Sequence, residues 1–268
     1  YHANLGRVLA DRGQHEAAAN AYETAGQLDP QMTEAFANRG VALEALERYL
    51  EAEQAYRQAL TIAPENPDLL FNLGNVLWAQ SSFPEAVEQF ERVIRIAPNH
   101  LEARTNLGLV LTAIGNIEDA IIVYEKALLL QPDDVELNVN RGIALTRLRR
   151  LNEAIAIFEK LLSIVPDYER VHFNLGLAYK YKYAFAKAQR QFEISLSLNP
   201  GQALAMIELG GCLQRANRVD EAYAHYARAY RIDNRHFKGI FTKMTSIPHG
   251  RFSVKFGKVR EMLETLDV

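Results

Sequence analysis

The chain has 268 residues, of which 49% are hydrophobic and 24% are charged, as is usual for a folded protein. Its formal net charge of -3 argues against a general nucleic-acid binder, because such proteins are strongly basic. No apolar run approaches the ~20 residues that a membrane-spanning helix needs, and no signal peptide is visible. The single cysteine, Cys212, excludes a disulfide within the chain and fits a cytoplasmic location.

Four kinds of residue recur at an interval of 34 positions, all in one shared register. The four rows are Gly6, Gly40, Gly74, Gly108, Gly142, Gly176 and Gly210; Ala18, Ala52, Ala86, Ala120, Ala154, Ala188 and Ala222; Tyr22, Tyr56, Phe90, Tyr124, Phe158, Phe192 and Tyr226; and Pro30, Pro64, Pro98, Pro132, Pro166 and Pro200. A fixed period of this size indicates stacked structural repeats, which usually bind other chains and rarely catalyse reactions.

The third repeat shows the helices that the pattern predicts. Apolar residues at helical spacing predict a first helix over Asp68–Gln80 and a second over Glu85–Ile96. The intervening Ser81–Pro84 reads as a short break, with Pro84 in the first turn of the second helix. Pro98 then prevents that helix from continuing.

We number each repeat so that the glycine is position 8, the alanine position 20, the aromatic residue position 24 and the proline position 32. The small residues at positions 8 and 20 let the two helix backbones approach closely, and the ring fills the space beside them. One helix pair exposes an apolar face that only stacking against the next pair can bury.

The segments Phe71–Asn75 and Pro84–Phe90 resemble the two helix signatures of the tetratricopeptide repeat family. The resemblance implies an all-α fold, a right-handed superhelical solenoid of antiparallel helix pairs with a 34-residue period, in which the first helices line the concave face. Residues 1–234 are expected to form seven such repeats. The first repeat is truncated, since its positions 1 and 2 would precede Tyr1.

Residues 235–268 depart from all four rows, and Met244 stands where the glycine would be. Apolar residues from Phe237 to Met244 predict a helix, residues 247–250 predict a turn, and residues 259–266 suggest a second helix. We interpret this segment as an atypical C-terminal helical cap or as the start of a further domain. Because residues 235–268 are basic, a third interpretation is that they form a docking surface.

Asparagine occupies position 6 in six consecutive repeats, and glutamate follows in the seventh. These residues are Asn4, Asn38, Asn72, Asn106, Asn140, Asn174 and Glu208. Helical geometry places position 6 away from the core positions, so stacking would align the side chains along the inner groove. A carboxamide can pair with both the N–H and the C=O of an extended peptide. The row resembles the asparagine ladder of O-linked N-acetylglucosamine transferase, although it could instead join neighbouring helices.

Apolar residues flank this row at positions 5, 9 and 12. The flank comprises Phe71, Val139, Phe173, Ile207, Leu109, Ile143, Leu177 and the only tryptophan, Trp78, with the polar Asn75 and Lys180 beside them. Exposed apolar rows favour a protein partner, and tryptophan is a frequent anchor. The alternative is that adjacent repeats cover these side chains.

Chaperone-binding members of the family hold a C-terminal carboxylate with lysine at position 5 and asparagine at position 9 of their first repeat. Here Ala3 and Arg7 occupy those positions, so we expect no binding to chaperone tails. No constellation of nucleophile, base and orienting group is visible, and the histidines have no metal-site spacing. We therefore expect no enzymatic activity, no metal and no cofactor.

The sequence favours a protein–protein interaction scaffold that binds an extended or helical peptide of an unidentified partner in its concave groove. It predicts no nucleic-acid partner. One alternative is the substrate-recruiting repeat region of a larger transferase, such as a glycosyltransferase or a sulfotransferase. Another is a self-assembling scaffold that forms a homo-oligomer through its groove or its ends.

Overall fold

The computed structural model describes residues 1–245 and 256–265, which form sixteen α-helices, one short 3-10 helix and no β-strand. The helices are α1 His2–Asp11, α2 His15–Leu28, α3 Thr33–Glu44, α4 Tyr49–Ile62, α5 Pro67–Ala79, α6 Phe83–Ile96, α7 Leu101–Ile114, α8 Ile117–Leu128, α9 Val135–Arg147, α10 Leu151–Ile164, α11 Glu169–Tyr181, α12 Phe185–Leu198, α13 Ala203–Arg215, α14 Val219–Ile232, α15 Phe237–Thr245 and α16 Phe256–Thr265. The all-α fold of paired helices that the period predicts is confirmed.

The chain divides into two compact units, residues 1–137 and 138–268, with the boundary inside α9. In the first unit each helix from α1 to α7 packs against the next, and α1 also contacts α3 while α5 contacts α7. In the second unit the helices from α10 to α14 pack in the same sequential way, and α11 contacts α13. The first helices of neighbouring repeats therefore lie side by side within each unit.

An aromatic ring lies directly against a glycine in all seven repeats. A Cβ added to any glycine of the row would come within 3.0 Å of the position-24 ring of the same helix pair. These rings are at most 3% exposed, and the alanines at position 20 are fully buried. The absence of a glycine side chain thus makes room for the ring that forms the centre of each pair.

Each turn between the paired helices has a left-handed backbone at position 15. The residues are Gly13, Glu47, Ser81, Gly115, Arg149, Tyr183 and Asn217, with φ between 58° and 91°. The following N–H bonds the carbonyl oxygen five residues earlier, as in Arg48 to Leu43 at 2.9 Å, which is the Schellman pattern of a helix C-terminus. Only two of the seven residues are glycine, so the sequence has no recurring glycine at position 15 that would predict the left-handed turn.

The predicted helices of the third repeat differ from the observed ones only at their ends. The first begins at Pro67 and the second at Phe83, one and two residues earlier than predicted. Proline is tolerated before the first backbone hydrogen bond of a helix, so Pro84 lies within the first turn, as expected. The second helix ends at Ile96 because Pro98 follows.

The C-terminal segment forms two helices that pack on α14. Their apolar side chains are buried, including Ile240, Met244, Val259 and Leu263. A 3-10 helix over Asn234–His236, which the sequence did not predict, precedes α15. The predicted turn at residues 247–250 lies outside the described residues. The packing favours a cap, and that interpretation stays a prediction.

We predict that Gly176→Ala destabilises the fold by about 1–3 kcal/mol, because the new methyl group would overpack a close contact. Its Cβ would lie 2.6 Å from Cε1 of Phe192, whose ring is fully buried. Urea unfolding measures the effect. The matched control is Gly239→Ala in α15, where an added Cβ meets nothing within 4 Å. Better helix propensity should make that variant more stable by up to about 1 kcal/mol, and equal destabilisation of both variants would contradict the packing argument.

We predict that Glu47→Gly raises the urea midpoint by an amount equivalent to about 0.5–1 kcal/mol. Glu47 has an exposed side chain and a φ of 58°, a conformation that glycine adopts without steric cost. Glu47→Ala retains a Cβ and should leave the midpoint nearly unchanged. A lower midpoint for the glycine variant would show that the turn is not strained.

Candidate functional site

In the first unit the asparagine row lies on neighbouring first helices and is partly exposed. The amide Nδ2 of Asn106 donates a hydrogen bond to Oδ1 of Asn75 at 2.8 Å, joining α7 to α5. Asn72 lies beside the hydroxyl group of Tyr56. Asn38 makes no side-chain hydrogen bond within the described residues. The row therefore keeps free acceptor and donor capacity at Asn38 and a free carbonyl oxygen at Asn106.

The predicted apolar flank of the first unit is half-buried. The Phe71 ring centroid lies 5.9 Å from that of Phe90 and 4.9 Å from that of His100. Trp78 and Leu109 are also neither fully buried nor fully exposed. Each side chain is thus held by its own repeat while part of its surface stays accessible, as a preformed binding surface requires.

In the second unit the asparagines form hydrogen bonds within the protein. Asn140 is 6% exposed, and its Oδ1 accepts a hydrogen bond from Nη2 of Arg170 at 2.9 Å. Asn174 donates to the backbone carbonyl oxygen of Arg170 at 2.7 Å. Asn140 therefore joins α9 to α11, the alternative that the sequence left open, whereas Asn174 bonds a residue of its own helix.

The flank of the second unit differs from the prediction at Val139 and Ile207, which are both buried. Val139 is fully buried, whereas Phe173 at the same repeat position is half-buried, with its ring centroid 5.9 Å from that of Phe192. The short valine stays beneath its neighbours, while the longer phenylalanine reaches past them. Val139 consequently offers no surface to a partner, and Ile143 and Leu177 remain partly accessible.

The end of the row forms a charged cluster that the sequence did not reveal. Glu208 bonds Lys180 at 2.6 Å and Lys243 at 3.0 Å. Burial by itself would raise the pKa of Glu208, but the two ammonium groups outweigh it and lower the pKa below its usual value. Lys180 is therefore paired within the protein, and its position beside Lys243 concentrates positive charge at this end.

The first unit contains a second polar cluster, which the sequence pattern did not predict. Glu44 occupies position 12 of the second repeat, beside the hydroxyl group of Tyr56. Burial raises the pKa of Glu44 and that of Tyr56. The cluster brings the carboxyl group of Glu44 on α3 and the amide of Asn72 on α5 to the phenol of Tyr56, which is buried on α4.

Family profiles described as tetratricopeptide repeat match residues 31–99 and, with a second profile, residues 71–134, 114–169 and 172–236. A further profile, described as TPR repeat, matches residues 6–47. The chain belongs to the tetratricopeptide repeat family. Membership of this family supports a protein-interaction scaffold.

Solved structures share this tetratricopeptide fold at low sequence identity. A tetratricopeptide repeat protein from Parabacteroides merdae has a TM-score of 0.74 and 18% identity, over 91% of this chain and 96% of that one. YrrB, described as a TPR protein with an unusual peptide-binding site, has a TM-score of 0.59 and 23% identity, over 70% of this chain and 97% of its own. MamA from Desulfovibrio magneticus has a TM-score of 0.57 and 21% identity, over 63% of this chain and 96% of its own.

A search of curated proteins found no significant match. Among the described residues, no helix combines the length and apolar character that crossing a membrane requires. Within the same residues, no group of three or more His, Cys, Asp or Glu side chains is arranged to hold a metal ion.

We predict that Cys212 resists alkylation in the folded protein. Burial, followed by the negative charge of Glu208, raises its pKa to about 11, so almost all of the group is the unreactive thiol at neutral pH. Against an unfolded thiol with a pKa of about 8.5, iodoacetamide at pH ~8 should react at least about a hundredfold more slowly. The rate in urea is the control, and comparable rates in both conditions would contradict the buried placement.

Proposed function

We propose that this tetratricopeptide repeat protein binds an extended peptide segment of a protein partner on the face of its first helices. In the first unit the binding surface consists of the asparagine row and its apolar flank: Asn38, Asn72, Asn106, Asn75, Phe71, Trp78 and Leu109. A second stretch, in the second unit, comprises Ile143, Phe173, Asn174 and Leu177. The proposed role is binding rather than catalysis.

The first unit supports this proposal most strongly, through the unused hydrogen-bonding capacity of its asparagines beside partly exposed rings. Carboxamides pair with peptide backbone groups whatever the peptide sequence is. The half-buried Phe71 and Trp78 offer apolar surface for side chains that alternate along an extended chain. The second stretch contributes more through its apolar residues, since Asn140 and the amide nitrogen of Asn174 bond the protein itself.

The likeness to YrrB, whose description includes a peptide-binding site, agrees with a peptide ligand. At 23% identity the two proteins have the fold in common, so the proposed ligand of this chain rests on its own side chains. The neighbouring first helices in each unit supply the adjacent rows that peptide recognition needs.

We predict that replacing Asn38, Asn72 and Asn106 together by alanine weakens peptide binding at least about tenfold, because each lost backbone hydrogen bond contributes about 0.5–1.5 kcal/mol. Peptides selected from a displayed random library against the full chain serve as the probe. Trp78 fluorescence reports binding on this surface, because Trp78 is the only tryptophan and lies half-buried in the flank.

The matched control replaces Asn20, Asn99 and Asn116, which are exposed asparagines of the same unit outside the proposed surface. Their loss should leave the affinity unchanged, and circular dichroism verifies that both triple variants are folded. Equal affinities of wild type and the first variant would remove the asparagine row from the mechanism. Self-association that competes with the peptide would identify a second copy as the occupant.

A further inference from the structure

A cavity of about 250 Å³ lies in the second unit beside the turn that joins α11 to α12. Cations and aromatic rings dominate its lining, and we call it the cationic cavity. The residues that define it are Arg149, Lys180, Tyr181, Phe185, Arg215 and Lys243. They come from the C-terminal ends of α11 and α13, from the turn after α9, from the start of α12 and from α15, whereas the asparagine row follows the middle of the first helices.

Two arginines of this cavity are held by aromatic rings. Cζ of Arg149 lies 4.2 Å from the centroid of the Tyr181 ring, and Cζ of Arg215 lies 4.7 Å from that of Phe185. Neither guanidinium forms an ion pair within the described residues. A guanidinium stacked on a ring keeps its N–H edge available, and that edge fits a carboxylate or a phosphate with two parallel hydrogen bonds.

The local charge of the cavity is strongly positive. Lys180 and Lys243 share one carboxylate, that of Glu208, at 2.6 Å and 3.0 Å. Four cations against this single anion leave a local charge of about +3, although the whole chain has a net charge of -3. The cavity therefore attracts an anion in a protein whose overall charge repels one.

We propose that the cationic cavity binds the carboxylate or phosphate group of an acidic peptide segment. The stacked Arg149 and Arg215 would hold the oxyanion through paired hydrogen bonds, and the two lysines would add attraction. A volume of 250 Å³ lies below the ~300–1,000 Å³ of typical small-molecule sites and suits one anionic side chain. The rings offer apolar surface to its methylene groups.

This site is independent of the peptide surface proposed above. It shares no side chain with the residues proposed for that surface, although Glu208, which binds both of its lysines, occupies position 6 at the end of the asparagine row. Replacement of Asn38, Asn72 and Asn106 therefore leaves the cavity in place. The triple asparagine variant should accordingly retain its affinity for acidic peptides. A failure of either proposal can thus be told apart from a failure of the other.

The test measures binding of fluorescent peptides to the full chain by anisotropy. The probes are a glutamate-rich peptide, the same peptide with phosphoserine in place of glutamate, and an uncharged glycine-serine peptide. We expect both acidic peptides to bind and the uncharged one not to bind. The acidic peptide that binds more tightly shows whether the cavity prefers a carboxylate or a phosphate group. The affinity for both should fall as the salt concentration is raised.

The decisive variant combines Arg149→Gly with Arg215→Ala. Arg149 has a left-handed backbone, with φ of 62°, at the position where Gly13 and Gly115 stand in other repeats, so the glycine should not weaken the turn. Loss of two charge-assisted hydrogen-bonding groups should reduce the affinity at least about tenfold. Glu208→Gln removes the carboxylate that pairs with both lysines and should increase the affinity for the acidic peptides.

The control variant, Lys160→Ala with Arg190→Ala, removes the same charge from exposed sites of the same unit that do not line the cavity. It should change the affinity less than about twofold. Equal losses in the two double variants would overturn the proposal, because they would show an unspecific charge effect. Tighter binding of single-stranded RNA, or of inorganic phosphate alone, than of either acidic peptide would also overturn it.

Discussion

The contact between an aromatic ring and a glycine within each helix pair is the constraint on which the rest of this structure depends. The ring at position 24 can occupy the centre of the pair only because position 8 has no side chain. Seven such contacts, spaced 34 residues apart, bring each first helix close to its second helix. The remaining apolar surface of the pair is then buried by the next pair, as stacked repeats require.

This packing also determines which residues of the first helices stay accessible. Once positions 8, 20 and 24 are buried, the opposite side of the first helices carries positions 5, 6, 9 and 12, which are partly exposed in some repeats and buried in others, as at Val139 and Asn140. The same position nevertheless has different roles along the chain. Asn38 makes no side-chain hydrogen bond within the part of the chain that the structure describes, Asn106 bonds Asn75, and Asn140 is buried against Arg170. The row therefore combines side chains with free hydrogen-bonding groups and side chains that bond the protein itself, and the neighbouring repeat decides to which kind a given asparagine belongs.

The turn inside each helix pair has a functional consequence of its own. Its left-handed residue and the ends of the first helices lie outside the packed rows, so their side chains can vary without disturbing the core. In the second unit this freedom places two arginines, two lysines and the rings of Tyr181 and Phe185 around one cavity. A regular scaffold with variable turn residues thus supports the proposed anion site, built on backbone geometry common to all seven repeats.

The amino-acid sequence by itself determined the family, the paired helices and their approximate ends. These features repeat, and each depends on contacts within one helix pair, so they recur in register and can be read from spacing. The tertiary structure alone decided that Val139 and Asn140 are buried, that Glu208 joins Lys180 to Lys243, and that the turns are left-handed at residues such as Glu47. Burial and ion pairing depend on pairs of side chains about one repeat apart, and the identities of these partners do not recur with the period. The left-handed turn is imposed by backbone hydrogen bonds, which form whether or not the residue is glycine.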